Sequence, residues 1–435
     1  MFKNINCKNL PSLRRNIVYQ FLYELLIVFI PLFTIPYVSR VLGAENIGLF
    51  SYTYAVANYF VLFANLGIKN YGSRTIAMVR NNKEELNRNF SEILSIHIIF
   101  SIIVIFVYLV LLFFFVEDNL VIFLIQSIYV FAAVFDINWF FFGIEKFKLT
   151  VGRNTLVKIL SVFLVLVFVK TQTDLWIYAL ILALSVFVGQ SVVWFALKQY
   201  VSWRRPSWAN MKQHIRPLFV LFLPILALSL YKYMDKIMLG SISSNVQVGF
   251  YENAEKIINV PMSLIMAFGV VLMPRIANMV TSKDKGEVFK LIDMSMEAVM
   301  LLAIAISFGL AGISFVLAPI FFGYEFEECG ILIMGLAVTV PFMAFANVIR
   351  TQYLIPYKED KIFVVSLFLG AAVNLIVNII LIPYMAARGA VIGTIFAEII
   401  VCIYQSYFVR KKIFIKKYLL NTIPPILILS LIHIS

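Results

Sequence analysis

Charged side chains are scarce in this sequence: Asp, Glu, Lys and Arg make up 14% of its 435 residues, while 62% are hydrophobic. Soluble domains run nearer one half apolar and about a quarter charged. A water-soluble fold has no place for so much apolar surface, so lipid is the expected solvent. Cysteine and histidine are scarcer still, three of each. Cys7, Cys329 and Cys402 stand far apart, and the histidines are equally scattered. That excludes a disulfide framework and any metal-ligand spacing, and all six are read as structural. Alternation of apolar and polar residues with period two is missing, which excludes a transmembrane β-barrel. Long polar stretches are missing too. Every connection between apolar blocks has 24 residues or fewer, and a soluble domain needs about 50. Function therefore has to sit among the apolar segments, with no catalytic residues assigned.

What is present is a series of apolar blocks, each near the roughly 20 residues that cross a bilayer as a helix. Twelve are read: 17–41, 47–68, 93–116, 120–144, 149–169, 175–197, 218–240, 248–273, 298–322, 330–355, 362–383 and 390–409. A shorter stretch, 419–434, is a partial thirteenth. The expected fold is all-α and integral to the membrane. The first block is not a cleaved signal peptide, because it is long and contains Glu24, Pro31 and Pro36.

The net charge of +13 is distributed for topology. Segments 1–16, 69–90, 145–158, 198–216, 275–290, 356–361 and 410–417 hold 29 of the 36 Lys and Arg residues. These are alternate connections, so the positive-inside rule puts them, and the N-terminus, on the cytoplasmic side of the membrane. The opposite connections are acidic, with Glu45, Glu117, Asp118, Asp174, Glu252, Glu255, Glu325, Glu327 and Glu328 among their members. The basic excess is a topology signal and excludes a nucleic-acid footprint.

Two halves of the chain correspond. IPYVSRVLGAENIGLFSYTYAV (35–56) and LYKYMDKIMLGSISSNVQVGFYENAEKI (230–257) each end one span on Leu-Gly and open the next with Gly. WFFFGIEKFK (139–148) matches QYLIPYKEDK (352–361) in the same order. Six spans per half make a parallel repeat, an arrangement that places a substrate site between halves. The expected organisation is an N-terminal lobe at 1–197, a cytoplasmic linker at 198–216, a C-terminal lobe at 217–409, and a basic segment with apolar tail at 410–435.

The run IPYVSRVLGAENIGLFSYTYAVANYFVLFANLGIKNYGSR resembles the opening of bacterial O-antigen and capsule repeat-unit flippases (Wzx-type). DKIMLG, VGFYENAEKI and NLIVNIILIPYMAARGAVIGT resemble their second-half motifs. These motifs belong to the multidrug/oligosaccharidyl-lipid/polysaccharide exporter superfamily. The resemblance implies two six-helix lobes around a central cavity that opens alternately to each side. It implies an undecaprenyl-pyrophosphate-linked oligosaccharide as substrate and a polysaccharide polymerase as partner. No cofactor is implied beyond coupling to Na⁺ or H⁺. The competing readings are a multidrug or cation exporter of the same superfamily, and a membrane enzyme of polysaccharide assembly.

Ionisable residues inside apolar spans are functional candidates. Lys232 and Lys236 are four apart and share a helix face. Either they present positive charge to a pyrophosphate or acidic sugar, or Asp235 neutralises one of them while both reach outward. Aligning the ends of the fourth and tenth spans puts Asp136 near the position equivalent to Arg350, so the two are expected to face the cavity. Glu24 lies in the first span, with proton-linked function and interhelical hydrogen bonding both open. Asp235, Asn378 and Thr394 fall at a common depth of about 7–8 Å at 1.5 Å per residue, with Asn374 one turn deeper. One carboxylate with amide and hydroxyl oxygens suits Na⁺. The resemblance to the lipid II flippase supports these positions on the seventh, eleventh and twelfth spans. A hydrogen-bond network that only locks the lobe is the other reading.

Overall fold

The computed structural model describes residues 10–281 and 285–413, with 415, 417, 418, 420, 424 and 426 beyond them. Residues 1–9, Cys7 among them, lie outside the described residues, as does most of the 419–434 stretch. The fold is all-α. Among the described residues, eleven helical stretches are long and apolar enough to cross a bilayer. The first, Ile30–Val79, carries two of the twelve spans read from sequence, because helix runs up to a kink at Gly43 and resumes directly after it. The chain is a multi-pass membrane protein.

The chain divides into two units, Met1–Leu42 with Thr53–Leu226, and Gly43–Tyr52 with Ala227–Ser435. Two helices pass from one unit to the other. α1 (Leu10–Asn65) does so at Gly43, whose φ of 76° and ψ of 173° suit glycine alone. α8 (Trp208–Ile242) does so between Leu226 and Ala227, just after Pro224.

The first unit continues with α2 (Ile68–Val79), α3 (Lys83–Phe115), α4 (Leu120–Val134), α5 (Asn138–Gly143), α6 (Phe147–Phe168) and α7 (Leu175–Leu197). Asn82 starts α3: its side-chain oxygen accepts from the backbone N–H of Glu84 and Glu85, and those acids complement the helix dipole. The fourth span is interrupted at 135–137, between α4 and α5. Just past the interruption, Trp139, Phe140 and Phe141 are buried with Phe90, Ile93, Ile76 and Leu218 in one apolar cluster. Gly72 on α2 makes room for it, since a Cβ there would stand 2.5 Å from the Trp139 ring.

The second unit continues with α9 (Asn245–Thr281), α10 (Lys285–Phe322), α11 (Cys329–Ala337), α12 (Thr339–Ile349), a π-helical turn (Arg350–Leu354), α13 (Asp360–Met385) and α14 (Ala387–Val409). The Gly43–Tyr52 segment packs tightly here. A Cβ on Gly48 would lie 1.6 Å from the Asn245 carbonyl oxygen, and one on Gly249 would lie 2.1 Å from that of Ala44. The Ala44 N–H donates to Glu325 Oε1 at 2.8 Å. α13 and α14 form a hairpin closed at Ala386, and Gly389 lets their backbones approach to a distance no Cβ allows. Phe113, Phe114, Phe115 and Phe195 are exposed, the side chains expected against lipid.

Candidate functional site

Asp235 and Lys236 are neighbours near the C-terminal end of α8, so their side chains leave the helix about 100° apart. That angle separates two polar groups. Asp235 meets α9, α13 and α14. Its Oδ2 accepts from the Tyr251 hydroxyl at 2.6 Å and stands 3.0 Å from Thr394 Oγ1. Its Oδ1 accepts from Asn378 Nδ2 at 2.6 Å, and the same amide nitrogen lies 3.1 Å from Asn374 Oδ1. Tyr251 and Thr394 are 2.9 Å apart. Asp235, Tyr251, Asn374 and Asn378 are all buried. Asn378 Oδ1 has no hydrogen-bond partner, and Gly393 gives it space, since a Cβ there would stand 2.2 Å away. The four residues grouped by depth in the sequence are thus brought together, and Tyr251 joins them.

Lys236 points to α9 instead. Its Nζ lies 2.5 Å from Glu252 Oε2 and 2.7 Å from Glu255 Oε2, and Lys256 closes the group at 3.1 Å from Glu252 Oε1. The positive charge is matched by these two acids, not by Asp235. Lys232 is exposed, with its Nζ 5.4 Å from the centre of the Tyr233 ring. Shared spacing therefore does not give the two lysines shared surroundings.

Arg350 opens the π-helical turn at the end of α12. One terminal nitrogen donates to Asn347 Oδ1 at 2.6 Å, and the guanidinium carbon sits 5.5 Å from the centre of the Phe363 ring. Its Nε is buried without a partner, as are Asn347 Nδ2 and both polar ends of Gln352. Gly269 on α9 lets that helix close onto the turn, where a Cβ would meet Thr351 Oγ1 at 2.7 Å. Unmet donors beside a guanidinium are the chemistry of an anion seat. π-Turns of this kind concentrate at functional sites.

Asp136 lies in the first unit, at the interruption between α4 and α5. Its Oδ1 accepts from Asn138 N at 3.0 Å and from Asn138 Nδ2 at 2.7 Å. Asp136 and Arg350 belong to different units, and each is described among its own neighbours. Glu24 lies on α1, with its side chain outside the described residues. Among the described residues no three His, Cys, Asp or Glu side chains gather as metal ligands.

A family model for "Polysaccharide biosynthesis protein" matches residues 13–280. The chain belongs to this family. Within the polysaccharide biosynthesis proteins, a "Putative O-antigen transporter" of Shigella dysenteriae is 24% identical over 408 residues, covering 90% of this chain and 99% of the relative. Another of that description, from Escherichia coli (strain K12), is 26% identical, covering 93% and 98%. "Lipid II flippase MurJ" of Bacillus subtilis (strain 168) is 28% identical over 214 residues, 45% of this chain and 39% of the relative. Among solved structures, lipid II flippase MurJ in an inward closed conformation superposes with a TM-score of 0.73 at 16% identity, covering 96% of this chain and 92% of that one. An inward-facing multidrug transporter of the MATE family gives 0.68 at 14% identity, covering 90% and 97%. The family member described here therefore has the transporter fold of those proteins.

Proposed function

We propose that the protein carries undecaprenyl-pyrophosphate-linked oligosaccharide repeat units across the bacterial inner membrane by alternating access, for O-antigen or capsule assembly. Relatives described as O-antigen transporters match it over nearly their whole length, which favours this reading over a drug exporter. The observation that carries it is Arg350. An arginine in a membrane span costs about 3 kcal/mol or more, and this one keeps an unpartnered Nε beside the unpartnered amide nitrogen of Asn347. A pyrophosphate or acidic sugar meets that need. Lys232 is the second cation of the proposal, while Lys236 is occupied by Glu252 and Glu255. The lipid tail stays in the bilayer while the charged head group crosses. The N-terminus and the basic connections face the cytoplasm, and a polymerase receives the product outside.

Arg350→Ala should abolish surface polysaccharide in the native host and leave lipid-linked repeat units on the cytoplasmic side, with the protein inserted at normal abundance. Arg350→Lys should restore part of the export, because it keeps the charge and loses the fork geometry. Normal export by Arg350→Ala, together with raised drug sensitivity of the deletion strain, would favour the exporter reading.

The Asp235 group supports a second element of the proposal, a Na⁺ site. An asparagine amide can present either end to a neighbour. With the Asn378 amide turned over, oxygens of Asp235, Asn374, Asn378, Thr394 and Tyr251 converge, the hard-oxygen set that Na⁺ favours.

A further inference from the structure

We propose that Lys158 is an anion contact of the first unit, an unpaired ammonium held at mid-span for the pyrophosphate head of the lipid-linked substrate. The apolar stretch of α6 runs from Leu149 to Phe168, and Lys158 stands nine residues after the first and ten before the second. At 1.5 Å per residue its Cα lies about 13–15 Å from either end. The four-carbon stem of a lysine cannot carry its ammonium over that distance. The outward reach that serves lysines near span ends is closed to this one.

Its place on the helix points the same way. Val151, Lys158 and Val165 are seven residues apart and share one face of α6, with Ser161 beside them. Val151, Ser161 and Val165 are buried and Lys158 is half-buried, whereas Leu156, Ile159, Leu160, Phe163 and Leu166 are exposed on the other side. The lysine therefore belongs to the face that packs into the first unit, where α5 and α7 lie against α6, and not to the lipid-facing one.

Among the described residues the Lys158 side chain has no ion pair, hydrogen bond or ring contact. The hydroxyls on either side of it are turned back onto their own helix: Thr155 Oγ1 donates to the Val151 carbonyl at 3.0 Å, and Ser161 Oγ to the Lys158 carbonyl at 2.8 Å. Arg153, the other cation of this stretch, is placed quite differently. It donates to the Gly189 carbonyl at 2.6 Å and to Asn138 Oδ1 at 3.1 Å, so it is built into the joint between α5, α6 and α7. Acids within the helices of this unit are committed elsewhere. Glu92 lies 2.9 Å from His214 Nε2, and Asp136 accepts from Asn138 Nδ2 at 2.7 Å. An ammonium this deep is costly, and membrane proteins keep one where it pairs with a group of the protein or lines the path of a substrate or ion. No such pair is made among the described residues, which leaves the path. A cation there selects an anion, and an ammonium on a flexible stem meets phosphate oxygens as a point charge.

The identity of the anion rests on the substrate reading given above, and the anion contact itself does not. Two measurements separate them. In the first, the lysines of the full protein in lipid nanodiscs are methylated with isotope-labelled formaldehyde, which keeps their charge, and the Lys158 resonance is assigned by its loss in Lys158→Arg. Titration with inorganic pyrophosphate should shift that resonance. An amine that escapes methylation, or a resonance that stays in place, would overturn the anion contact. In the second, binding of undecaprenyl pyrophosphate and of undecaprenol to the detergent-solubilised protein is followed by native mass spectrometry. Lys158→Met should weaken binding of the pyrophosphate about tenfold, which corresponds to about 1.4 kcal/mol, and leave undecaprenol unaffected, while Lys158→Arg keeps most of the affinity. Equal affinity of Lys158→Met and the unsubstituted protein for the pyrophosphate would overturn the assigned ligand. If the unsubstituted protein shows no preference for the pyrophosphate while the first measurement gives its shift, the substrate reading fails and the anion contact stands. Lys158→Met should also keep the thermal midpoint of the unsubstituted protein, because it breaks no pair. A lowered midpoint, matched in Glu24→Gln, would make Lys158 half of an ion pair and sink the proposal.

Discussion

At the scale of single residues, the buried groups of the second unit differ in what substitution should do. Asp235→Asn keeps the shape and removes the charge. Flipping in reconstituted vesicles should depend on Na⁺ in the unsubstituted protein and lose that dependence in the variant; equal rates with choline in place of Na⁺ would sink the cation site. Tyr251→Phe removes a hydrogen bond to a carboxylate, worth about 1.5–3 kcal/mol. It should lower the thermal midpoint of the detergent-solubilised protein, whereas Lys232→Met, on an exposed side chain, should leave that midpoint unmoved. Depth arithmetic along the spans is enough to group Asp235 with Asn374, Asn378 and Thr394. Tyr251 is within reach of the same arithmetic, since it stands as far after Ser243 in the hairpin as Asp235 stands before it. Depth alone does not select it, because aromatic residues near a span's end suit the lipid interface equally well.

At the scale of elements, apolar length shows where helices are and says little about where they break. The interruption after Val134 and the π-turn at Arg350 each fall inside an unbroken apolar block, and backbone hydrogen bonding, not hydropathy, distinguishes them. Glycine is the better guide. Gly48 and Gly249, each the Gly that opens the second span of its half, are where α9 and the Gly43–Tyr52 segment touch backbone to backbone. Gly48→Val should be destabilising by about 1–3 kcal/mol through overpacking, read as a lower midpoint in detergent and reduced abundance in membranes. An unchanged midpoint would mean that the contact is not made in the dominant state. Lys236 teaches the converse. The charge pattern counts its partners Glu252 and Glu255 with an outer connection, but α9 begins at Asn245 and holds both within the helix, against Lys236.

At the scale of the whole molecule, the twelve-span reading and the all-α fold are legible because a bilayer imposes one length and one polarity on every span. The orientation is tested by single cysteines at exposed Asn119 and Ser207. An impermeant thiol reagent applied to intact spheroplasts should label the first and spare the second. Ser282, the position in the next basic connection that would serve equally, lies outside the described residues. Labelling of Ser207→Cys in intact spheroplasts would reverse the assignment.

The ten residues from Gly43 to Tyr52 make the gene's two halves unequal as pieces. A fragment starting at Ala227 would synthesise every later helix of its unit and still lack an inserted part, the one whose Ala44 N–H meets Glu325 and whose Gly48 meets Asn245. The other fragment would carry that part away from Glu325 and Asn245. Severing the chain near residue 226 therefore does not yield two autonomous halves but a lock and its key on separate strands. Function recovered by co-producing them would report re-insertion of this one helical segment.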